Sequence, residues 1–313
     1  MIVSVVMITY GHEKFIKEAV QGILIQDGDF DIELVLANDN SPDYTDKIIN
    51  EIVSNNKSKV KINYTKHPEN LGMISNFFWA IKECNGKYIA ICDGDDFWID
   101  PLKLKKQVDI LENDPNLSFC FHTVNIVDED GVIIKNDISP ANFYGGDVLF
   151  SSQRILAGPM VSNPCSLIFR NSDFVIDSLL NMPNLPYGDK PLEKILAIVG
   201  DGHFIKESMA NYRIFSGSVT NSENWRQNEL AKSKENHLKL YSYLFEICDH
   251  KLLKKVIYGV IKSKSENNLF FQAFSASSLY IVYIYSERKI LNFLYYFSKY
   301  LFDLLKVKFN RHF

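Results

Sequence analysis

Strand-like and helix-like segments alternate through the first 92 residues, and this alternation limits the fold more than any other feature of the chain. Apolar residues at helical spacing separate the strand-like runs and predict amphipathic helices, the first of them from about Phe15 to Leu24. Such alternation predicts an α/β fold: a mostly parallel sheet with right-handed crossovers and helices on both faces. The predicted strands are Ile2 to Ile8, Ile32 to Ala37, Val60 to Thr65 and Tyr88 to Cys92.

The fourth predicted strand ends in a group of carboxylates. Asp93, Asp95 and Asp96 follow it within four residues, and Gly94 between them lets another group approach the backbone closely. Because ligands of open α/β sheets collect beyond the carboxyl ends of the strands, we expect these side chains to line a binding site. A hard divalent cation, Mg²⁺ or Mn²⁺, held by one or two carboxylates and by substrate phosphates, would offset their mutual repulsion. A solvated loop or a set of helix caps is the alternative interpretation.

Two further aspartates precede predicted helices. Asp100 and Pro101 are predicted to be the N-cap and the first residue of the helix that follows the acidic motif. Asp189 lies two residues before Pro191, at the start of another helix-like segment. Its carboxylate could cap that helix or complement its dipole. It could equally serve as a general base presented by a rigid helix N-terminus.

Composition excludes several classes of protein. A net charge of −4 over 313 residues argues against a nucleic-acid binder, and the absence of a Gly-rich phosphate loop argues against a dehydrogenase or a P-loop enzyme. Five widely spaced cysteines suit reduced, buried thiols better than zinc ligands or disulfides. The N-terminus lacks the positive region of a signal peptide, and no apolar run reaches about 18 residues, so a cytoplasmic protein is expected.

The C-terminal third differs in composition from the rest. Residues 216–236 are rich in Ser, Asn, Glu and Lys, and a predominantly helical pattern follows them. We therefore predict a domain over residues 1–218 and a helical region over residues 219–313. From residue 286 onward six basic residues stand against two acidic ones among many aromatic residues. These helices could lie on a membrane surface at the inner face, pack on the first domain, or join two subunits in a homodimer.

Five motifs together, in their order and spacing, resemble those of family 2 glycosyltransferases, which are GT-A fold enzymes that use nucleotide-activated sugars. They cover roughly residues 1–218. The resemblance implies an inverting, metal-dependent transfer of a sugar from a nucleotide-sugar donor, with UDP as the favoured nucleotide. The acceptor would be a hydroxyl of a glycan or of a lipid-linked molecule in surface polysaccharide, lipopolysaccharide or capsule assembly. The motifs are Val3 to Tyr10, Asn38 to Ser41, Glu69 to Gly72 with Asn76, Asp93 to Asp96 with Trp98 and Pro101, and Tyr187 to Leu192.

The resemblance also implies a role for each site residue. Thr9 and Tyr10 would line the nucleotide base, while Asp39 and Asn70 would contact the nucleotide. Asp93 and Asp95 form the DXD motif that would bind Mn²⁺ or Mg²⁺ and through it the diphosphate, and Asp93 would also contact the nucleotide. Asp189 would be the catalytic base. The remaining residues of the acidic motif, Gly94, Asp96 and Trp98, would lie at the donor or acceptor site.

The chain departs from the family pattern at two positions. Asn38 stands where many relatives carry a second aspartate, and Phe215 stands where many have a histidine near the metal. His122 could replace that histidine, although a histidine in an apolar strand is more often a core residue. Phe215 also motivates a second hypothesis, a degenerate carbohydrate-binding or assembly protein. A sugar-nucleotide nucleotidyltransferase is a third, but the segment Gly11 to Lys14 is a poor match to the Gly-rich basic loop it would need.

Overall fold

The computed structural model describes residues 1–138, 148–218 and 223–265. Within these ranges, ten strands form a single sheet in the order β3-β2-β1-β4-β9-β6-β10-β5, with β7 beside β6 and β8 beside β10. The strands are β1 Ile2–Thr9, β2 Asp31–Asn38, β3 Lys61–Lys66, β4 Tyr88–Ile91, β5 Phe97–Trp98, β6 Leu117–Val127, β7 Ile133–Ile138, β8 Val148–Phe150, β9 Ile168–Arg170 and β10 Asp201–Arg213.

Helices cover both faces of the sheet, as the alternating pattern predicts. They are α1 Ile16–Leu24, α2 Thr45–Asn55, α3 Met73–Lys82, α4 Lys103–Asn113, α5 Ser152–Ala157, α6 Asp173–Leu180, α7 Asp189–Val199, α8 Glu223–Ile247 and α9 Lys251–Ser265. No helix in the described part of the chain combines the length and the apolar content that crossing a bilayer requires.

The first four strands are parallel, which confirms the predicted βα alternation. β1 pairs with β2 on one side and with β4 on the other, and β3 adds to the outer edge of β2. The register places Thr9 opposite Asn38 at the carboxyl ends of β1 and β2. Because all four strands point the same way, the segments that follow them meet at one edge of the sheet.

The second half of the sheet is mixed. β9 runs antiparallel to both β4 and β6, whereas β6 and β10 are parallel. Apolar runs over residues 117–127 and 132–134, around Asp130 and Gly131, predict a hairpin, and β6 and β7 form it. The sequence also predicts two strands over residues 204–207 and 209–214, but the structure has the single strand β10. Its pairing with β6 shifts between Ile205 and Ser208, and the exposed residues of this irregularity, Lys206 and Glu207, imitate a turn in the sequence.

Two predicted element boundaries are also corrected. The apolar run from Cys165 to Phe169 predicts a strand, but Pro164–Ser166 form a 3₁₀ turn and β9 begins at Ile168. Asn163 caps this turn, because its side chain accepts a hydrogen bond from the Cys165 amide. Helix α4 begins at Lys103, later than expected, after a turn in which Asp100 Oδ1 accepts from the Leu102 amide at 2.8 Å.

Alternate residues of β1 face two apolar cores. Val3, Val5 and Met7 pack with α1 and α4, whereas Val6 packs on the opposite face with α3, α7, α8 and α9. Helices α8 and α9 thus share a core with the helices that cover the sheet, through residues such as Tyr241. The predicted boundary at residue 218 stays a prediction, and the basic segment from residue 286 lies outside the described residues.

Candidate active site

The acidic segment after β4 folds into a tight turn at the carboxyl edge of the sheet. The Asp96 amide donates to the Asp93 carbonyl oxygen at 3.1 Å, and the Gly94 amide donates to the Ile8 carbonyl oxygen at 2.9 Å. A side chain at Gly94 would collide with Thr9, since its Cβ would lie 2.7 Å from Thr9 Oγ1. Glycine is therefore required here for packing against the end of β1.

Asp96 faces the protein interior. It is buried, and its Oδ1 accepts a hydrogen bond of 2.9 Å from the backbone amide of Arg213. Burial raises the pKa of the Asp96 carboxyl well above its usual range, and Asp95 and Asp93 add to the effect. Trp98 is buried as well, and its indole nitrogen donates to the Cys165 carbonyl oxygen at 2.9 Å. Both residues therefore hold the turn from within.

Asp93 and Asp95 are partly exposed at the outer side of the turn. Burial, together with the nearby carboxylates of Asp95 and Asp189, raises the pKa of the Asp93 carboxyl to about 8. None of the described residues donates a hydrogen bond to the Asp93 carboxyl group. The structure thus brings Asp189 into electrostatic contact with the acidic turn.

Asp189 is the first residue of α7, and the Lys190 amide donates to its Oδ1 at 2.8 Å. Burial raises the pKa of Asp189 above its ordinary value. Hydrogen bonding from the backbone amides of Lys190 and of Asp189 itself lowers the pKa of this carboxyl in part. The arrangement is compatible with both interpretations of this residue, the favourable helix-terminal charge and the general base.

The two residues after the first turn of α7 anchor the helix. The Glu193 carboxylate accepts hydrogen bonds from the Val161 amide at 3.0 Å and the Ser162 hydroxyl at 2.7 Å. Lys194 Nζ donates to the Ile155 carbonyl oxygen at 2.6 Å and lies 3.3 Å from Glu193 Oε1. Because both side chains are fully buried, this network fixes α7, and with it Asp189, against the segment of residues 155–162.

The segment after β1 is tied to the segment after β2. Tyr10 is half-exposed at this rim, while Thr9 is buried, and Thr9 Oγ1 lies 3.2 Å from His12 Nδ1. His12 Nε2 lies 3.9 Å from Asp95 Oδ2. Burial lowers the pKa of His12 more than Asp95 and Asp43 raise it. Three amides of the first segment donate to side chains of the second: Gly11 to Ser41, His12 to Thr45 and Glu13 to Asp43.

Asp39 links the end of β2 to the segment before α3. Its two carboxylate oxygens accept hydrogen bonds from the Leu71 amide at 2.6 Å and the Gly72 amide at 3.0 Å. Asn70 Nδ2 donates to the Asp39 carbonyl oxygen at 3.2 Å. Gly72 has a φ of +85°, which favours glycine at this bend. Asp39 and Asn70 therefore lie together beside the end of β1.

Asn38 forms a neutral hydrogen-bond network that accounts for the departure from the family pattern. Its Oδ1 accepts from the Ser41 amide and hydroxyl, and its Nδ2 donates to the Tyr64 hydroxyl at 2.9 Å. The Tyr64 hydroxyl in turn donates to Asp46 Oδ1 at 2.5 Å. Because that proton is already given to Asp46, position 38 requires a donor, which an asparagine supplies and an aspartate does not.

His122 is a core residue and not part of this site. It is buried on β6, its Nδ1 bonds to the Thr123 carbonyl oxygen at 2.6 Å, and the charges that act on it are Lys103 and Lys106. Burial lowers the pKa of His122 well below its ordinary value.

Sequence reasoning missed His12 and Arg213, which hold the acidic turn from its two sides. Arg213 is buried, its Nε donates to the Asp95 carbonyl oxygen at 2.9 Å, and its NH2 group pairs with Glu18 at 2.7 Å. A lone arginine near the end of an apolar strand was the available signal for this buried partner. The signal for His12 was its position directly after a strand end, at the same edge as the acidic turn.

The donor set fits a weakly held divalent ion. In the described ranges no three or more His, Cys, Asp or Glu side chains converge on a point that could hold a metal. A divalent ion here would be completed by substrate phosphates and water, as is usual for Mg²⁺ sites.

A mostly parallel sheet with an acidic turn at its carboxyl edge and a carboxylate facing it from a helix N-terminus is a GT-A type architecture. Residues 4–173, more than half of the chain, match the family model described as Glycosyl transferase family 2. An uncharacterized glycosyltransferase of Methanocaldococcus jannaschii is 30% identical over 255 residues, which cover 77% of each chain. The chain belongs to glycosyl transferase family 2.

Two other curated relatives match over part of their length. An uncharacterized protein of Mycobacterium tuberculosis is 31% identical over 223 residues, 70% of this chain, and the match spans 60% of that relative's length. WfaP of Escherichia coli, named as a UDP-Glc:alpha-D-GlcNAc-diphosphoundecaprenol beta-1,3-glucosyltransferase, is 29% identical over 148 residues, which cover 47% of this chain and 55% of WfaP.

Solved structures share the fold. TarS 1–349 of S. aureus in complex with UDP-GlcNAc has a TM-score of 0.65 at 16% identity, covering 89% of this chain and 80% of that one. The mannosyltransferase PcManGT of Pyrobaculum calidifontis in complex with GDP-Man and Mn²⁺ has a TM-score of 0.57 at 16% identity, covering 97% and 80%. These similarities support the predicted GT-A fold.

Proposed function

We propose that this protein is an inverting glycosyltransferase whose donor is a UDP-sugar. It would transfer the sugar to a hydroxyl of a glycan or lipid-linked acceptor in surface polysaccharide, lipopolysaccharide or capsule assembly. The observation that carries the proposal is the meeting of Asp93, Asp95 and Asp189 at the carboxyl edge of the sheet, with no hydrogen-bond donor among the described residues for the Asp93 carboxylate. Membership in family 2 and the donors named for WfaP and TarS support it.

The nucleotide would bind over the carboxyl ends of β1 and β2. Tyr10, half-exposed beside Thr9, offers an aromatic face for the base. Each carboxylate oxygen of Asp39 accepts one backbone hydrogen bond and keeps a second lone pair, which a base or ribose donor could use. Asn70 lies at the same bend and would border the ribose.

Asp95, together with Asp93, would hold Mn²⁺ or Mg²⁺ beside the diphosphate. PcManGT, which shares the fold, was solved with Mn²⁺. When bound, the ion would offset the charge that develops on the leaving nucleoside diphosphate. Gly94 would allow close approach to the backbone at this turn, and Asp96 and Trp98 would act by holding the turn in shape.

Asp189 would accept the proton of the acceptor hydroxyl. Burial raises its pKa toward the range in which a carboxylate removes a proton more effectively. The hydroxyl oxygen would form its bond to the anomeric carbon as the bond from that carbon to the diphosphate breaks. A single displacement from the opposite face inverts the configuration. If the acceptor is lipid-linked, the protein would act at the cytoplasmic face of a membrane.

A panel of nucleotide sugars, assayed with and without Mn²⁺ for nucleoside diphosphate release, tests the proposal. We expect metal-dependent release of UDP from one UDP-sugar, and Asp189→Asn should slow this release by about 10²- to 10⁴-fold while UDP still binds. Tight UDP binding without any turnover in the wild type would support the degenerate carbohydrate-binding protein instead. Pyrophosphate release from UTP and a sugar phosphate would support the nucleotidyltransferase.

A further inference from the structure

The His12 side chain is held in one orientation at the edge of the acidic turn. Its backbone amide donates to Thr45 Oγ1 at 2.9 Å, and its Nδ1 lies within hydrogen-bond distance of Thr9 Oγ1. The ring packs against Phe15 and meets Phe215 edge-on, with centroids 6.3 and 6.4 Å away. These contacts direct Nε2 toward Asp95 Oδ2.

The separation between His12 Nε2 and Asp95 Oδ2 has a specific chemical meaning. At 3.9 Å the two atoms are too far apart for a hydrogen bond, which would need about 3 Å. Two ligands of one ion that each lie about 2.1 Å from it can be separated by up to about 4.2 Å. The observed distance therefore falls within the range that two ligands of one ion span.

We infer that His12 Nε2 is a protein ligand of the divalent ion and shares it with Asp95. This inference rests on the proposed function, because it concerns the ion that would bind the donor diphosphate. Metal bound at Nε2 requires the proton on Nδ1, and Thr9 Oγ1 is the acceptor placed to receive it, a common support for a metal-binding histidine. Thr9 is then a positioning residue.

With His12 as a ligand, the site does not need a histidine at position 215, where Phe215 stands. Phe215 brings no donor atom, but its ring packs on Phe15 at 4.8 Å and on His12. Its ring therefore borders the imidazole, and the ligand comes from the segment after β1 instead.

Pulsed electron paramagnetic resonance of the full chain with Mn²⁺ and UDP tests this assignment. Protein grown with ¹⁵N-labelled histidine should show ¹⁵N coupling to bound Mn²⁺, since imidazole nitrogen would be bonded directly to the metal. His12→Phe keeps an aromatic ring against Phe15 and Phe215, but it should lose the ¹⁵N coupling. It should also weaken Mn²⁺ binding at least about tenfold, because even the loss of an outer-shell partner typically has an effect of this size. Thr9→Val should weaken binding by about 10- to 100-fold while the coupling remains.

His12→Gln keeps a polar side chain and serves if His12→Phe fails to fold; it should also lose the nitrogen coupling. His250→Ala removes an exposed histidine far from the turn in sequence and should leave both signals unchanged. Bound Mn²⁺ without histidine coupling in the wild type, or coupling that survives His12→Phe, would overturn the role of His12 and leave the proposed function standing. A wild type that binds no Mn²⁺ in the presence of UDP would overturn the metal-dependent proposal and this inference together.

Discussion

The acidic turn and the start of α7 both present carboxylates to the same cleft, but they are held in different ways. The turn is fixed from distant parts of the chain, by the Ile8 carbonyl oxygen and by the backbone and guanidinium of Arg213. Helix α7 is fixed by its own neighbouring residues, Glu193 and Lys194, which clamp a single segment. The position of the acidic turn therefore depends on strand β10, whereas the position of Asp189 depends on the contacts of Glu193 and Lys194.

The sharpest test of this comparison separates turnover from nucleotide binding. Asp189→Asn should lower kcat by about 10²- to 10⁴-fold, the usual contribution of a general base, because an amide cannot accept the hydroxyl proton. UDP binding in the presence of Mn²⁺, measured by calorimetry, should stay within twofold of the wild type.

Asp95→Asn is the matched control on the other side of the cleft. It should remove the extra thermal stabilisation that UDP and Mn²⁺ give together. If Asp189→Asn lost nucleotide binding as well, or kept its turnover, the division of tasks between the two regions would be wrong.

Breaking the support of the acidic turn should have the largest effect on stability. Arg213→Met leaves the Asp95, Asp128 and Glu129 carbonyl oxygens without their guanidinium donor. We expect a loss of about 3 kcal/mol in the free energy of unfolding, because the three oxygens are partly buried and each should cost about 1 kcal/mol, the low end of the range for an unsatisfied group. Urea unfolding of Arg213→Met and of the wild type measures this loss of stability.

The exposed pair of Lys14 and Glu129 provides the control for Arg213. Its nitrogen and oxygen are 2.7 Å apart, but both side chains are largely solvated. Lys14→Ala should therefore leave the free energy of unfolding nearly unchanged. An equal loss in the two variants would mean that Arg213 is no more than a surface charge and does not support the turn.

Loosening the local clamp should affect the Asp189 side alone. Glu193→Gln keeps the size of the side chain but replaces one acceptor oxygen that serves the Val161 and Ser162 amides. We expect a loss of about 1–3 kcal/mol in stability and a lower kcat, with UDP affinity unchanged. A fall in UDP affinity, measured by calorimetry, would contradict the independence of the two supports.

The elements that the sequence predicts well are those with local causes. The alternating apolar periods gave β1 to β4 and their helices, and the rule for parallel sheets placed Thr9, Asp39 and the acidic turn at one edge. Contacts between distant residues left no such trace: the bond from Arg213 to Asp95 spans 118 positions. The bulge that continues β10 was missed for a related reason, because exposed polar residues in mid-strand look like a turn.

The smallest expected effect concerns the neutral network beneath the nucleotide side. Asn38→Asp replaces the amide donor to the Tyr64 hydroxyl with a carboxylate, close to Asp46, which already takes the tyrosine proton. Burial and the like charge should raise the pKa of the introduced carboxyl in the folded protein above about 3.9, its unfolded value. Between the two pKa values the folded state then binds more protons than the unfolded state. The destabilisation by Asn38→Asp therefore grows as pH rises through this range and is complete above it.

We expect a loss of about 1 kcal/mol at pH 7, the net value of a typical hydrogen bond, and almost none near pH 3, where the protonated carboxyl can donate to Tyr64 as the amide does. Thermal unfolding across this pH range, referred to the wild type at each pH, measures the difference. Asn55→Asp is the control, since Asn55 is exposed at the end of α2 and its side chain donates to the Glu51 carbonyl oxygen of its own helix at 2.7 Å. A destabilisation that is the same at both pH values would show that position 38 requires the shape of asparagine and not its donor.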